Sequence, residues 1–166
     1  MKVAAVQLTS TGNITENQEL ALAKIREAAG NGARLIVLPE ATAQNFRSGR
    51  LDEQAQTLEG PFATAIQALA EELEVTVVAG MFCPADTVER EGKTINRVTN
   101  TALIAGPGVL GGYDKIHTYD AFDYRESDTV LAGESLVAFD VDDLIVGVAT
   151  CYDIRFPEQF KELASQ

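Results

Sequence analysis

Cysteine and histidine are scarce in this sequence. Its 166 residues include two cysteines, Cys83 and Cys151, and a single histidine, His117. The two cysteines lie far apart and form no Cys-x-x-Cys motif, so we expect free thiols, and neither a disulfide framework nor a dithiol redox site. One histidine and two distant cysteines also fall short of the four ligands of a usual structural zinc site, which predicts no bound metal.

Basic residues are few: 13 lysines and arginines stand against 25 acidic residues, which gives a formal net charge of −12 and a pI near 4.4. This charge opposes binding to nucleic acids and to anionic membrane surfaces. No apolar run approaches the ~18 residues of a membrane-spanning helix, and residues 1–10 carry no secretory signal pattern. We therefore expect a cytoplasmic protein without nucleic-acid or membrane partners.

Hydrophobic residues make up 46% of the chain, enough for the core of one globular domain over residues 1–166. Strand and helix patterns alternate in its first half. The predicted elements are a strand at 3–8, a helix from the N-cap Asn13 to Gly30 or Gly32, a strand at 34–39, a helix from Pro61 to Leu73 and a strand at 75–81. Strands at 98–105 and 109–113 follow after short turns, which predicts antiparallel pairing.

The remainder of the chain predicts shorter elements. Strands at 137–141 and 144–148 flank Asp142-Asp143 and predict a hairpin. The Gly-rich stretch at 106–112 lacks the spacing of a dinucleotide fingerprint and predicts hairpin turns. Residues 157–166 have the pattern of a starting helix, with no following strand to complete a crossover. The sequence therefore predicts an α/β fold with mixed strand directions, and a domain truncated at its C-terminus.

Three polar residues stand where predicted strands end. Glu40 follows the strand at 34–39, Lys115 follows the strand that ends at Tyr113, and Cys151 follows the apolar run 144–150. Ligands of open α/β sheets bind outside the carboxyl ends of strands, so these side chains are placed for chemistry. An unpaired cysteine is more often a small buried hydrophobe, and Cys83 is interpreted in that way. For Cys151, the two other polar strand ends favour a reactive role.

These three residues form a chemically complete set. Covalent cleavage of a C–N bond needs a nucleophile, a group that takes and returns protons, and positive charge near the developing oxyanion. Cys151, Glu40 and Lys115 supply these groups. The cation is also expected to lower the pKa of the thiol, and a backbone N–H after Cys151 is a candidate second oxyanion donor. The predicted chemistry forms a thioester, releases ammonia and needs no cofactor.

Three segments resemble the signatures of the nitrilase, or carbon–nitrogen hydrolase, superfamily: Leu38-Pro-Glu40, Tyr113-Asp-Lys115-Ile-His117 and Cys151-Tyr-Asp-Ile-Arg-Phe-Pro-Glu158. They occur in the family's order and span essentially the whole chain. The resemblance implies a four-layer α-β-β-α sandwich with a Glu-Lys-Cys triad. Glu40 is then the general base, Lys115 stabilises the oxyanion and Cys151 is the nucleophile. Family domains are substantially longer, so the resemblance implies an N-terminal portion of such a domain.

A fourth segment, Tyr124-Arg-Glu126-Ser-Asp128, is similar to the family segment that holds a second active-site glutamate. The similarity implies that Glu126 orients Lys115 or the substrate. The alternative is a solvated carboxylate in a turn, since most glutamates are exposed.

Residues beside the nucleophile are predicted to bind substrate or to support the site, namely Tyr152 and Arg155. Asp153 and Arg155 can instead form structural ion pairs, which is the interpretation we favour. Of these two, Arg155 is the better candidate for a substrate carboxylate, because its forked guanidinium matches that group. His117 lies two residues after Lys115 and is interpreted as supporting architecture.

Within the superfamily, the segments 115–117 and 151–157 most resemble the branch of ω-amidases and deaminated-glutathione amidases. That resemblance implies a cysteine-dependent amidase of small carboxylated amides. We also expect a homo-oligomer, a dimer or higher. The loop at 41–51 is expected to bear on substrate identity. Alternatives are a nitrilase, or a catalytically inactive fragment that acts at most as a binding or assembly module. A thiol-dependent redox or acyl-carrier protein is disfavoured, since it has no need of Glu40 and Lys115.

Overall fold

Residues 1–165 are described by the computed structural model, which has three α-helices and ten strands. The helices are α1 (Ile14–Gly30), α2 (Pro61–Glu72) and α3 (Pro157–Leu163), and short 3-10 helices cover Glu126–Asp128 and Cys151–Arg155. The strands are β1 (Val3–Ala5), β2 (Leu35–Val37), β3 (Thr76–Arg90), β4 (Lys93–Gly106), β5 (Val109–Asp114), β6 (Asp120–Ala121), β7 (Tyr124–Arg125), β8 (Val130–Leu131), β9 (Ala138–Val141) and β10 (Leu144–Gly147).

The two long helices begin where their capping residues predict. The Asn13 side chain accepts hydrogen bonds from the backbone N–H groups of Thr15 and Glu16, at 3.0 and 3.3 Å, which satisfies two donors that the first turn of α1 leaves free. Pro61 occupies the first position of α2, where its missing N–H costs nothing. Both predicted helices are therefore confirmed.

One sheet forms the centre of the fold. Its strand order is β1-β2-β3-β4-β5, with β8 paired to β4 beyond the end of β5. β1, β2 and β3 run parallel, whereas β4 is antiparallel to both β3 and β5. The prediction of mixed strand directions is confirmed.

The hairpin of β3 and β4 is longer than the sequence indicates. The predicted strands stop at Met81 and start at Val98, but the ladder continues to the pair Arg90 and Lys93. Most of the added residues are exposed, and half are both exposed and polar, so the segments lack the regular apolar alternation by which strands are recognised. The turn between the strands, Glu91-Gly92, has positive φ at both residues, as a two-residue hairpin of this twist requires.

Four layers follow from what packs on each side of the central sheet. Residues of α1 and α2, including Ile25, Phe62 and Ile66, are buried with one face of the sheet. The hairpin of β9 and β10 covers the other face, where Phe139 is buried beside Ile104. The α3 helix lies outside that hairpin, because a Cβ at Gly147 would sit 3.2 Å from the Leu163 side chain. The predicted α-β-β-α fold class is confirmed.

The strand before Cys151 differs from its prediction. β10 ends at Gly147 and is largely exposed, with Leu144 and Ile145 at 51% and 61% exposure. The expected buried strand running up to Cys151 is therefore wrong: β10 belongs to the small outer hairpin, not to the central sheet. In the Gly-rich stretch, Pro107 and Gly108 turn as predicted, whereas Gly106 ends β4, and Gly111 and Gly112 lie inside β5.

Helix α3 starts at Pro157 as predicted, and the end of the predicted segment, residue 166, lies outside the described residues. None of the helices within residues 1–165 has the length and apolar content to cross a membrane. The cytoplasmic location and the homo-oligomeric state stay predictions.

Candidate active site

Three separate segments of the chain meet at one cavity. Glu40 lies three residues after β2, Lys115 directly follows β5, and Cys151 is the first residue of a 3-10 helix. All three line a cavity of about 420 Å³ together with Glu126, the residue predicted to support them. The structure thus brings together four residues that are up to 111 positions apart in the sequence.

Glu40 reaches the cavity because Gly80 lets two backbones pass closely. A Cβ at Gly80 would lie 2.4 Å from the Ala41 nitrogen and 2.7 Å from the Glu40 Cα, which any side chain forbids. The Gly80 N–H also donates to the Pro39 carbonyl at 3.2 Å. Ala41 itself has a φ of 58°, so the chain turns sharply right after Glu40.

Lys115 is held between two carboxylates. Its side chain is 1% exposed, and its Nζ donates to Glu126 Oε2 at 2.8 Å and to Glu40 Oε1 at 3.3 Å. Burial lowers the pKa of Lys115, but the hydrogen bond to Glu126 and the charges of Glu40 and Glu126 outweigh it and raise the pKa above its ordinary value. The side chain is therefore a fixed ammonium at neutral pH.

Glu126 is only 2% exposed, so it is not a solvated turn carboxylate. Its Oε2 accepts a hydrogen bond from the Tyr119 N–H at 2.6 Å besides that of Lys115. The 3-10 helix that carries Glu126 connects to the same segment through its own N–H, which donates to the Tyr119 carbonyl at 3.1 Å. These bonds fix the carboxylate against Lys115.

Asn100 joins the two carboxylates and is a residue that the sequence reasoning missed. Its Nδ2 donates to Glu40 Oε1 at 2.7 Å and to Glu126 Oε1 at 3.1 Å, and its carbonyl accepts from the Lys115 N–H at 2.9 Å. A buried asparagine inside the apolar strand β4 is the signal that could have revealed it.

Cys151 is exposed and has a φ of 51°. Burial raises the pKa of the Cys151 thiol, the charge of Glu40 raises it further, and the charge of Lys115 lowers it by less. The expected effect of the cation is present, since the charge of Lys115 lowers the thiol pKa, but burial and the Glu40 carboxylate outweigh it and the net shift is upward. A protonated thiol needs a base to become a nucleophile at neutral pH.

Asp153 holds the Cys151 segment in place. This buried carboxylate accepts hydrogen bonds from the Tyr113 hydroxyl at 2.5 Å, the His117 N–H at 3.0 Å and the Thr150 N–H at 2.8 Å. Tyr113 and His117 flank Lys115, while Thr150 precedes Cys151. The Asp153 side chain therefore connects the segment that carries Lys115 to the segment that carries Cys151.

The remaining predicted residues lie around this core. The His117 ring stacks on Phe156 with centroids 3.6 Å apart, and Tyr152 meets Tyr119 edge to face at 5.1 Å. Arg155 is exposed, and neither Tyr152 nor Arg155 is among the residues that line the 420 Å³ cavity. Their part in substrate binding stays a prediction.

The cavity also has walls that the sequence did not identify. Phe46 and Arg47 come from the loop at 41–51, and Tyr119 and Tyr124 come from the segment between Lys115 and Glu126. The loop was expected to influence substrate identity. Its sequence, however, has no pattern that distinguishes side chains that line the cavity from side chains that point away from it.

No group of three or more histidine, cysteine or acidic side chains is arranged to hold a metal ion within residues 1–165, and both cysteines are free. What the cavity offers is a thiol, a carboxylate and a fixed ammonium. These are the groups that covalent hydrolysis of an amide requires.

Comparison with known proteins identifies the family of the chain. The chain matches the carbon-nitrogen hydrolase family over residues 2–166. Hydrolase Rv0480c of Mycobacterium tuberculosis is 41% identical over 169 residues, which cover 99% of this chain and 57% of that protein. The deaminated glutathione amidase of Synechocystis is 36% identical, over 98% of this chain and 61% of that protein.

A solved structure shows the same fold. The CN-hydrolase superfamily protein XC1258 of Xanthomonas campestris superposes with a TM-score of 0.77 at 25% identity, over 94% of this chain and 55% of that one. The chain thus spans a little over half the length of these relatives. It belongs to the carbon-nitrogen hydrolase family.

Proposed function

We propose that this chain carries the catalytic centre of an amidase, which hydrolyses small carboxylated amides through a thioester on Cys151. One observation carries the proposal: Glu40, Lys115 and Cys151 come from three distant segments and line a single cavity. The name of the Synechocystis relative, deaminated glutathione amidase, supports the choice of an amide over other C–N bonds.

The first half of the reaction forms the acyl-enzyme. Glu40 takes the proton of the Cys151 thiol, whose raised pKa keeps it protonated at rest, and the sulfur attacks the amide carbon. The carbonyl oxygen becomes an oxyanion, which the Lys115 ammonium stabilises. Glu40 then returns the proton to the nitrogen, the C–N bond breaks, and ammonia leaves a thioester on Cys151.

The second half releases the acid. Glu40 takes a proton from water, and the resulting hydroxide attacks the thioester carbon. Lys115 stabilises the second oxyanion in the same place. The C–S bond breaks, the sulfur recovers the proton from Glu40, and the carboxylic acid leaves. One water is consumed and one ammonia is released in each cycle.

Glu126 and Asn100 have a positioning role in this scheme. The short bond from Lys115 to Glu126, at 2.8 Å, fixes the ammonium, whereas its 3.3 Å contact with Glu40 is looser. Asn100 holds Glu40 Oε1 at 2.7 Å. The base is thus oriented by a neutral amide and the cation by a second carboxylate, which keeps Glu40 available for proton transfer.

Ammonia release from succinamate tests the proposal, with Cys151→Ala and Cys83→Ala as a matched pair of variants. We expect the Cys151→Ala protein to release none, because no thioester can form, and the Cys83→Ala protein to keep the wild-type rate. The corresponding nitrile, 3-cyanopropanoate, is assayed in parallel to distinguish a nitrilase. Wild-type protein inactive on both compounds, with equal alkylation of the two cysteines, would identify a catalytically inactive fragment.

A further inference from the structure

The acid–base centre opposes the binding of an anionic substrate. Glu40 and Glu126 both accept hydrogen bonds from the one ammonium of Lys115, so these three ionised groups carry an excess negative charge. The chain as a whole has a net charge of −12. A carboxylated amide adds another negative charge, and its binding therefore needs a cation other than Lys115.

Arg47 is the other basic residue that lines the 420 Å³ cavity. Within residues 1–165 its guanidinium has no carboxylate partner. Arg50, three positions later in the same loop, is bound by Asp52 at 2.6 Å and lines a different cavity. Of these two loop arginines, Arg47 is the one whose charge is both available and directed to the site.

The loop that presents Arg47 is tied to the body of the protein. The Asn45 side chain accepts a hydrogen bond from the Arg47 N–H at 2.8 Å, and the Asn45 N–H donates to the Thr11 carbonyl at 3.0 Å. Phe46 packs edge to face on Phe82, with ring centroids 5.1 Å apart. Because the backbone of Arg47 is already ordered, less conformational entropy is lost when its side chain binds a ligand.

We infer that Arg47 binds the carboxylate of the substrate, at the end remote from the scissile amide, and thereby selects monoamides of short dicarboxylic acids over neutral amides. The inference rests on the proposed amidase function and deepens it. The forked guanidinium matches a carboxylate with two parallel hydrogen bonds. In this assignment, the role that the sequence suggests for Arg155, which does not line the cavity, falls to Arg47.

Two amides of equal length test this inference: succinamate, which has a carboxylate, and succinamide, which is neutral. We expect Arg47→Met to lower kcat/KM for succinamate about tenfold or more, mainly through KM, since hydrogen bonds to charged groups contribute on that scale. The kcat/KM for succinamide is expected to stay unchanged. Arg50→Met is the control, and it is expected to leave both substrates unaffected.

A second readout does not depend on turnover. Succinate, the product of succinamate hydrolysis, is expected to slow the alkylation of Cys151 by iodoacetamide in the wild-type protein, and to lose this protection in Arg47→Met. Alkylation without succinate reports whether the variant is folded, since a misfolded site would change that rate as well.

The outcomes separate the inference from the function on which it rests. Equal effects of Arg47→Met on both amides, or a selective loss of succinamate hydrolysis in Arg155→Met instead, overturn the assignment and leave the amidase intact. If the wild-type protein hydrolyses neither amide, the amidase proposal fails. The carboxylate site is then tested only by whether succinate protects Cys151 from alkylation. Protection that Arg47→Met abolishes supports the carboxylate site, and absence of protection in the wild-type protein overturns it.

Discussion

Two almost fully buried carboxylates organise the two halves of the site, and they are stabilised in different ways. Glu126 accepts a hydrogen bond from the ammonium of Lys115, together with bonds from Asn100 and a backbone N–H. Asp153 accepts from the Tyr113 hydroxyl and from two backbone N–H groups, and its Oδ1 also lies 2.8 Å from the His117 ring Nδ1. One carboxylate is paired with a lysine ammonium, whereas the other is surrounded by a hydroxyl, an imidazole ring and backbone donors.

The difference shows how a buried carboxylate can serve two purposes. A charged partner compensates the desolvation of Glu126 and places a cation where chemistry needs it. A hydroxyl, the His117 ring and two backbone N–H groups compensate Asp153, and the two backbone donors fix the course of the chain on both sides of the site. Changes at the first carboxylate should alter electrostatics, and changes at the second should alter geometry.

The largest effect is expected where the charge pair is broken. Lys115→Met leaves Glu126 buried without its ammonium, which should lower the free energy of unfolding at pH 7 by about 3–5 kcal/mol. The added change Glu126→Gln should recover part of this stability but none of the activity. Denaturant unfolding measures the stability of the single and the double variant, and ammonia release measures their activity. Lys161→Met, which changes an exposed lysine of α3, is the control.

The pH dependence of this effect has a definite sign. The pKa of Lys115 is raised in the folded protein above its ordinary value of 10.5, so its contribution to stability is fully present below that value. It is lost as the pH rises through the folded-state pKa. The stability difference between wild type and Lys115→Met should therefore shrink in strongly alkaline solution, and a difference that grows there would contradict the account.

Asp153→Asn tests the second buried carboxylate. The amide keeps one acceptor oxygen and places an NH₂ group against donors, so we expect a loss of about 2–3 kcal/mol in unfolding free energy. We also expect a lower kcat, since the Cys151 segment shifts. Asp143→Asn, at an exposed position of the outer hairpin, is the matched control. Equal stability of the two variants would show that Asp153 does not fix this segment.

A substitution at Gly80 tests how the backbone positions Glu40. Gly80→Ala puts a Cβ 2.4 Å from the Ala41 nitrogen, and overpacking of this kind costs about 1–3 kcal/mol. Because the displaced backbone carries Glu40, amide hydrolysis should fall more than stability suggests. Gly111→Ala in β5 is the control, since a Cβ there has no neighbour within 4 Å. Similar activity of both alanine variants would contradict the close approach.

The smallest effect is expected in the rate at which the Cys151 thiol is alkylated. Glu40→Gln removes the negative charge that raises the pKa of Cys151, so alkylation by iodoacetamide at neutral pH should become modestly faster. The same change removes the general base, so amide hydrolysis should be lost. A pH profile of alkylation measures the shift, with Glu158→Gln, an exposed glutamate, as the control. Slower alkylation of the Glu40 variant would mean that Glu40 does not interact with the thiol in this way.

The parts of the fold that local chemistry determines were predictable. Helix α1 starts at Asn13 because the asparagine caps the first turn within four residues of chain. The outer half of the β3–β4 hairpin was not predictable, because its polar residues pair with each other across the ladder and not with a core. The exposure of β10 was missed for a related reason, since burial depends on which sheet a strand joins.

The site divides in the same way. Glu40 and Lys115 were recognisable as candidates from their places after apolar strands, and Cys151 from its motif, since the strand expected directly before it is absent. The role of Asn100 depends on the pairing of β4 with β3, which sets it opposite Phe82, and that register is a property of the folded sheet. The pKa direction of Cys151 likewise depends on how far the thiol is buried and on how close Glu40 and Lys115 come in three dimensions.

In the proposed mechanism, Cys151 carries the acyl group during hydrolysis. The direct measurement is the mass of the protein quenched in acid during turnover of succinamate, followed by peptide mapping. The account predicts a succinyl group on the peptide that contains Cys151, none on the peptide that contains Cys83, and no adduct in Cys151→Ala. Ammonia release by Cys151→Ala at the wild-type rate, without any adduct in the wild-type protein, would contradict it.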